Sequence, residues 1–274
     1  VNRKGGLISA IAWALVVLIS MGATARYLRN AVNNAFFLRS AGISQNARAN
    51  LQEYLDRQSE NLGNFADQMG QSPSLEESTF QEKAVRLLSD APVFSAIAFL
   101  NDKFRREWVF PFASSRGVQG TELKGPSDAL GAAKRALKTG QPAASGLVDL
   151  IQGGTGVQLY APVFQGSLWQ GLVEGPIRVG QLAMELIGPA LGRDFHYSII
   201  DERQGREIFT TLSREDRTLS PAYDAFFTLS LADRTWWVLL HPHAPPPTLA
   251  IVVGALSAEA ILGTLIFILW RRRR

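Results

Sequence analysis

Both ends of this chain are apolar, and that restricts its possible folds more than any other feature. From Gly5 to Ala25 there are 21 residues without a charge, including Leu15, Val16, Val17, Leu18 and Ile19. From Thr248 to Trp270 there are 23 residues with one charge, Glu259. A helix of about 20 apolar residues crosses the hydrocarbon core of a bilayer. Arg3 and Lys4 precede the first run, and Arg271, Arg272, Arg273 and Arg274 follow the second. Positive charge marks the cytoplasmic side, so both termini are expected there, with residues 1–4 and 271–274 inside and spans at 5–25 and 248–270. Trp270 sits where an interfacial aromatic belongs, and Pro245, Pro246 and Pro247 mark the entry to the second span. A rival reading of the first run is a cleaved signal peptide, since Ala23-Thr24-Ala25 follows a basic start with a small-x-small site. Its length, and the helical pattern that continues beyond it, favour an uncleaved span.

If both ends are inside, residues 26–247 form an extracytoplasmic, or periplasmic, ectodomain. The sequence pI is about 9.6, yet residues 26–248 carry 22 Lys and Arg against 23 Asp and Glu. The basic excess therefore belongs to the membrane flanks, and nothing points to nucleic acid. The absence of cysteine excludes disulfide scaffolds, thiolate metal sites and cysteine nucleophiles.

Residues 26–91 read as a stalk and a second helix. Leu51, Leu55, Gln58, Leu62, Phe65 and Met69 recur at spacings of four and three, the seam of an amphipathic helix. That seam serves either to pack on its own domain or to pair with a second copy. After Gly70 and Pro73, Ser74 and Glu77 suggest a capping box opening the second helix. Residues 92–179 then read as a membrane-distal sheet. Its strands are expected at Phe94–Leu100, Arg106–Phe110, Gly146–Ile151, Val157–Phe164 and near Gln170–Val179, with a short helix through Leu130, Ala133 and Leu137 ending at Gly140. Residues 180–247 read as a smaller, membrane-proximal sheet: a helix over Gln181–Leu191, then strands at Tyr197–Asp201, Glu207–Thr210, Phe226–Leu231 and Thr235–Leu240.

Enzyme chemistry finds no motif. Gln152-Gly153-Gly154-Thr155-Gly156 precedes a strand and lacks a nearby lysine, so it reads as a hairpin turn rather than a phosphate loop. His241 and His243, with only His196 elsewhere, are too few for a metal site. No nucleophile elbow or zinc-protease helix is present. No catalytic residue, metal or cofactor is expected. Glu259 at the centre of a span costs several kcal/mol unless paired or protonated, which suggests helix association or signalling.

Several segments together resemble the CHASE domain, the extracellular sensor of cytokinin-type and many bacterial histidine kinases and nucleotide cyclases. They are Ile97-Ala98-Phe99 through Trp108-Val109-Phe110-Pro111, Gly131 to Pro142, Gly146-Leu147-Val148-Asp149-Leu150, and Leu159-Tyr160-Ala161-Pro162-Val163-Phe164. The resemblance is strongest over residues 94–180. It implies an α+β fold with a long N-terminal stalk helix, two PAS-like antiparallel-sheet subdomains and two flanking transmembrane helices. It also implies a homodimer that binds a small ligand, or a peptide, in the distal subdomain. Output would come from a cytoplasmic histidine kinase or cyclase. By position, the ligand contacts of the cytokinin-binding members match Asp128, Leu150 and Tyr160. Tyr160 replaces a small hydroxyl residue there, so the ligand class is open. Independently of the family, Trp108, Phe110, Leu147, Asp149 and Tyr160 have the mostly apolar, partly polar character of a small-molecule pocket. The competing function is a membrane-anchored assembly protein whose sheets bind nothing small.

Overall fold

The computed structural model describes residues 3–112, 117–125, 127–150, 153–193, 195–213 and 225–242, with some helical positions between 253 and 264. Residues 43–241 form one compact unit, and residues 1–42 with 242–274 form another.

In the unit 43–241, helix α1 (Arg3–Gly70) supplies the first layer. Ala47, Leu51, Leu55, Gln58, Leu62, Phe65, Ala66 and Met69 are all buried, so the heptad-like seam is spent on the chain's own core. The outward face carries Arg48, Glu53, Asp56, Arg57 and Glu60 and is polar. Helix α2 (Glu77–Asp90) buries Phe80, Ala84 and Leu87 beside it. The capping box expected at Ser74 does not form. The N-cap is Glu76, extended and without a side-chain cap, so Ser74 lies two residues too far upstream to cap the helix.

The large sheet has the order β2-β1-β6-β5-β3, with β4 paired to β5. Its strands are β1 (Ile97–Leu100), β2 (Arg106–Phe110), β3 (Ala143–Ala144), β4 (Val148–Asp149), β5 (Thr155–Gln165) and β6 (Leu168–Arg178). Strand alternation divides the residues between two faces. Ile97, Phe99, Leu159, Ala161 and Val173 face α1 and α2, where Phe94 and Leu62 press onto Gly175. Ala98, Leu100, Val109, Tyr160 and Leu172 face the opposite way, toward α3 (Asp128–Thr139).

Helix α3 is well bounded: Ser127 Oγ accepts from the Leu130 amide at 3.2 Å, and Gly140 ends it at φ 69°. Its buried face is Ala129, Ala132, Ala133 and Ala136, whereas Leu130 and Leu137 are half-buried at its flank. The sequence seam through the leucines is therefore rotated, because alanines allow closer approach to the sheet. The strand expected at 146–151 is reduced to β4 at Val148–Asp149, and the short β3 at Ala143–Ala144 precedes it. Ser145 still pairs with Gln158, but Gly146 turns its amide to Asp128 instead of the ladder.

The small sheet has the order β8-β7-β10-β9, from β7 (Phe195–Asp201), β8 (Arg206–Thr210), β9 (Ala225–Leu231) and β10 (Arg234–Pro242). It follows α4 (Val179–Leu182), a π turn (Ala183–Ile187) and α5 (Gly188–Leu191). The Tyr197 hydroxyl donates to the Ala183 carbonyl at 2.5 Å, tying that helical segment to β7. Gln52 of α1 grips the edge strand, accepting from the Ser230 amide at 2.8 Å and donating to its carbonyl at 3.0 Å.

In the other unit, Leu15, Val16, Leu18 and Ile19 expose more than half of their surface. Among the described residues no helix is long and apolar enough to cross a membrane. The side chains of residues 5–14, and most of 248–270 including Glu259 and Trp270, lie outside the described set, as do Pro245–Pro247, His243 and Arg271–Arg274.

Candidate functional site

Glu174 interrupts the apolar run of β6, and on the α3 side it meets Arg106 from β2. Arg106 reaches across Ala98 and donates from Nε to Glu174 Oε2 at 2.6 Å and from Nη2 to Oε1 at 2.8 Å. Both side chains are nearly inaccessible, at 4% and 3%. A third Arg106 bond goes to Thr121 Oγ1 at 3.0 Å. Tyr160 stands directly opposite Glu174 in the β5–β6 register and donates to Gln158 Oε1 at 2.6 Å. Burial, and then the Glu174 charge, push the Tyr160 hydroxyl well above its ordinary pKa, against the opposing effect of Arg106. Burial would lower Arg106, but the Glu174 carboxylate more than offsets it, and the guanidinium is held above its usual value. The cluster is thus a charged pair and a neutral phenol. It borders a cavity of about 10 Å³ lined by Ala96, Ala98, Val109, Val118, Gln158 and Pro176, about the room one water needs.

A second polar group joins α3 to the small sheet. Asp128, the first residue of α3, accepts from the Gly146 amide and from Gln204 Nε2 at 3.2 Å. Its Oδ2 is also 3.1 Å from Arg234 Nη1. Arg234 is fully buried and donates from Nε to the equally buried Asp201 at 2.6 Å. Next to it, Asp233 at the β9–β10 turn accepts from Arg135 Nε at 2.6 Å and from the Ala144 amide at 2.9 Å. Two consecutive residues of one hairpin therefore hold α3 and β3 from below.

The residues singled out from sequence separate in space. Tyr160 is at the centre of the α3 face and completely buried. Asp128 is at that helix's first turn but engaged with Arg234 and Gln204. Leu147 is half-buried beside Gly146, Leu150 is buried against Gly156, and Asp149 is exposed in β4. Trp108 lies on the other face of the sheet. It stacks on Phe99 with centroids 4.7 Å apart and leans on Phe80 at 5.8 Å. Phe110, paired with Ile97, shares that face. Sequence reading missed Arg106, Glu174, Gln158, Arg234 and Asp201. The available signal was a single charge set within apolar strand residues, as in Leu172-Val173-Glu174-Gly175-Pro176-Ile177. The glycine-rich loop is a tight turn as expected, with Gly153 and Gly154 at φ 88° and 81° and the Leu150 amide donating to the Gly154 carbonyl. Gln152 lies outside the described residues.

A long helix, a large antiparallel sheet covered by a short helix and a smaller antiparallel sheet make up an α+β fold. Residues 74–209 match the CHASE domain, and the chain is a CHASE-domain protein. No curated protein matches it by sequence. Among solved structures it is similar to an extracellular ligand binding receptor from Desulfohalobium retbaense, with 15% identity and a TM-score of 0.62. That match covers 74% of this chain but 40% of the receptor, so this chain spans less than half of that one's length. The ligand-binding domain of the Pseudomonas fluorescens chemoreceptor CtaA, solved with L-valine, matches at 12% identity and TM-score 0.57, covering 77% and 99%. That of the Pseudomonas aeruginosa amino-acid chemoreceptor PctC, solved with GABA, matches at 13% and 0.52, covering 76% and 98%.

Proposed function

We propose that this chain is the sensing part of a membrane receptor, and that a small molecule binds on the α3 face of the large sheet. The observation that carries this reading is the buried Arg106–Glu174–Tyr160 cluster within the CHASE match, where an apolar face presents a few convergent polar groups. Neighbours of the same fold solved with L-valine and GABA support a small ligand. The exposed apolar residues Leu15, Val16, Leu18 and Ile19, and the run 248–270, support anchoring with residues 43–241 outside the cytoplasm. Ligand binding under α3 would load Asp128, and through Arg234 the strand β10, which leads toward the second apolar run and a cytoplasmic kinase or cyclase. Within residues 43–70, pairing of two copies through α1 would have to use its polar outward face.

The assembly reading is favoured by one observation, the near-filled cavity beside Arg106. A thermal-shift screen of the full chain against adenine derivatives, amino acids, organic acids and short peptides separates the two. A ligand at 100 times its Kd stabilises the folded state by about 2.7 kcal/mol, or roughly 5–10 °C for a unit of this size. A saturable shift that Tyr160→Ala weakens supports the sensor. A folded chain that responds to nothing in the panel supports assembly.

A further inference from the structure

The chemical class of the ligand follows from the charge pair, provided the α3 face is the binding site. We infer that Arg106 and Glu174 read a short zwitterion, its carboxylate on Arg106 and its ammonium on Glu174. Each charge has been taken out of water at a cost of several kcal/mol, and such a pair adds little over apolar residues of the same volume. Stability is therefore a weak reason for its presence, and recognition is a stronger one. The apolar residues around the pair are Ala96, Ala98, Val109 and Val118, whose side chains carry neither charge nor donor. A ligand arriving there meets one group of each sign and, beside them, the neutral Tyr160, Gln158 and Thr121.

Three ligand classes can be compared on this ground. An anion that takes Arg106 leaves Glu174 buried and unpaired, and a cation on Glu174 leaves Arg106 in the same position. Breaking a buried pair from one side is the expensive case. An uncharged ligand leaves the pair closed and finds only about 10 Å³ beside it. A molecule with both charges exchanges one ion pair for two and leaves nothing unpaired. In the ligand-free chain, Glu174 fills the place of the ligand carboxylate on Arg106, and Arg106 that of the ammonium on Glu174. The ligand must also be short, since the space is opened only by parting two side chains enclosed by Ala98, Val109 and Val118.

The test uses calorimetric titration of the full chain with glycine, β-alanine and 5-aminopentanoate, which place the same two charges at increasing separation. Acetate, butyrate, methylamine and butylamine serve as single-charge probes. At least one zwitterion should bind 100-fold or more tightly than any single-charge probe, with a clear optimum in charge separation. Glu174→Gln should weaken it tenfold or more. If that variant fails to fold, the double variant Arg106→Gln with Glu174→Gln removes both charges together and should fold without binding. Zwitterion binding that the double variant leaves unchanged overturns the inference. So does a single-charge or neutral ligand that binds where all zwitterions are silent. Both results leave the sensing reading intact, whereas silence across the wider screen on a folded chain overturns the two together.

Discussion

Replacing Gly146 by alanine tests the connection between the two sheets. A Cβ built on Gly146 would lie 2.3 Å from Asp128 Oδ2, 2.5 Å from Arg234 Nη2 and 2.6 Å from Gln204 Nε2. None of these is a tolerable separation, and the φ of Gly146 lies outside the left-handed range, so the cost is collision rather than backbone strain. The atoms that must yield are the ends of a charged cluster. Moving them pulls Asp128 off the Gly146 amide, a charge-assisted bond worth about 1.5–3 kcal/mol. It also separates Asp128 from Arg234, which adds up to about 1 kcal/mol for a carboxylate that is partly exposed. A total near 3 kcal/mol corresponds to a fall in Tm of roughly 6–12 °C. Denaturant melts of the single variants and the Gly146→Ala, Asp128→Ala double variant give the coupling directly. With Asp128 removed, Arg234 and Gln204 have room to retreat, and the cost of Gly146→Ala should fall by about half or more. An equal cost in both backgrounds, or no cost in either, would refute the steric account.

Trp108→Ala should cost about 3 kcal/mol through loss of packing on Phe99 and Phe80. Ligand affinity should stay within about threefold, since the ring lies on the far face of the sheet. A tenfold loss by calorimetry without destabilisation would place Trp108 in the site. Burial would raise the Asp233 carboxyl, but hydrogen bonds from Arg135 and the Ala144 amide, with the Arg135 and Arg203 charges, hold it below its ordinary 3.8. A depressed carboxyl stabilises above its unfolded pKa and loses that contribution as pH falls through the folded value. Stability of Asp233→Asn should therefore drop less than wild type between about pH 5 and 3. Burial pushes the Tyr197 hydroxyl up to about 12 from 10.0. Its contribution is complete below pH 10.0 and lost as pH rises toward 12. Tyr197→Phe should flatten the alkaline limb of a stability–pH curve there, and an unchanged slope would argue against it.

The elements most legible in the sequence were those with local signals. The seam from Leu51 to Met69 identified α1, and Gly140 ended α3 where an αL residue was needed. The failures have a common cause, namely long-range pairing. Nothing near Arg106 in sequence announces Glu174, 68 residues away, and nothing near Asp128 announces Arg234. Trp108 was assigned to the pocket because aromatic character suits a pocket, but the register that pairs it with Phe99 turns it toward the helices. For α3, hydrophobicity pointed to the leucines, whereas close approach selected the alanines.

The alanine face of α3 has a consequence for how the selectivity of the proposed site can vary. Its depth is fixed by the distance between two backbones, since Ala129, Ala132, Ala133 and Ala136 contribute almost no side chain to it. Apart from glycine, every substitution at these positions subtracts volume, so the wall can be tuned in one direction only. Enlarging the proposed site would have to come from the opposite side, at Tyr160 or Val109, or from lifting the whole helix. An engineer could narrow the site by a single Ala132→Val change, at about 1–3 kcal/mol of overpacking.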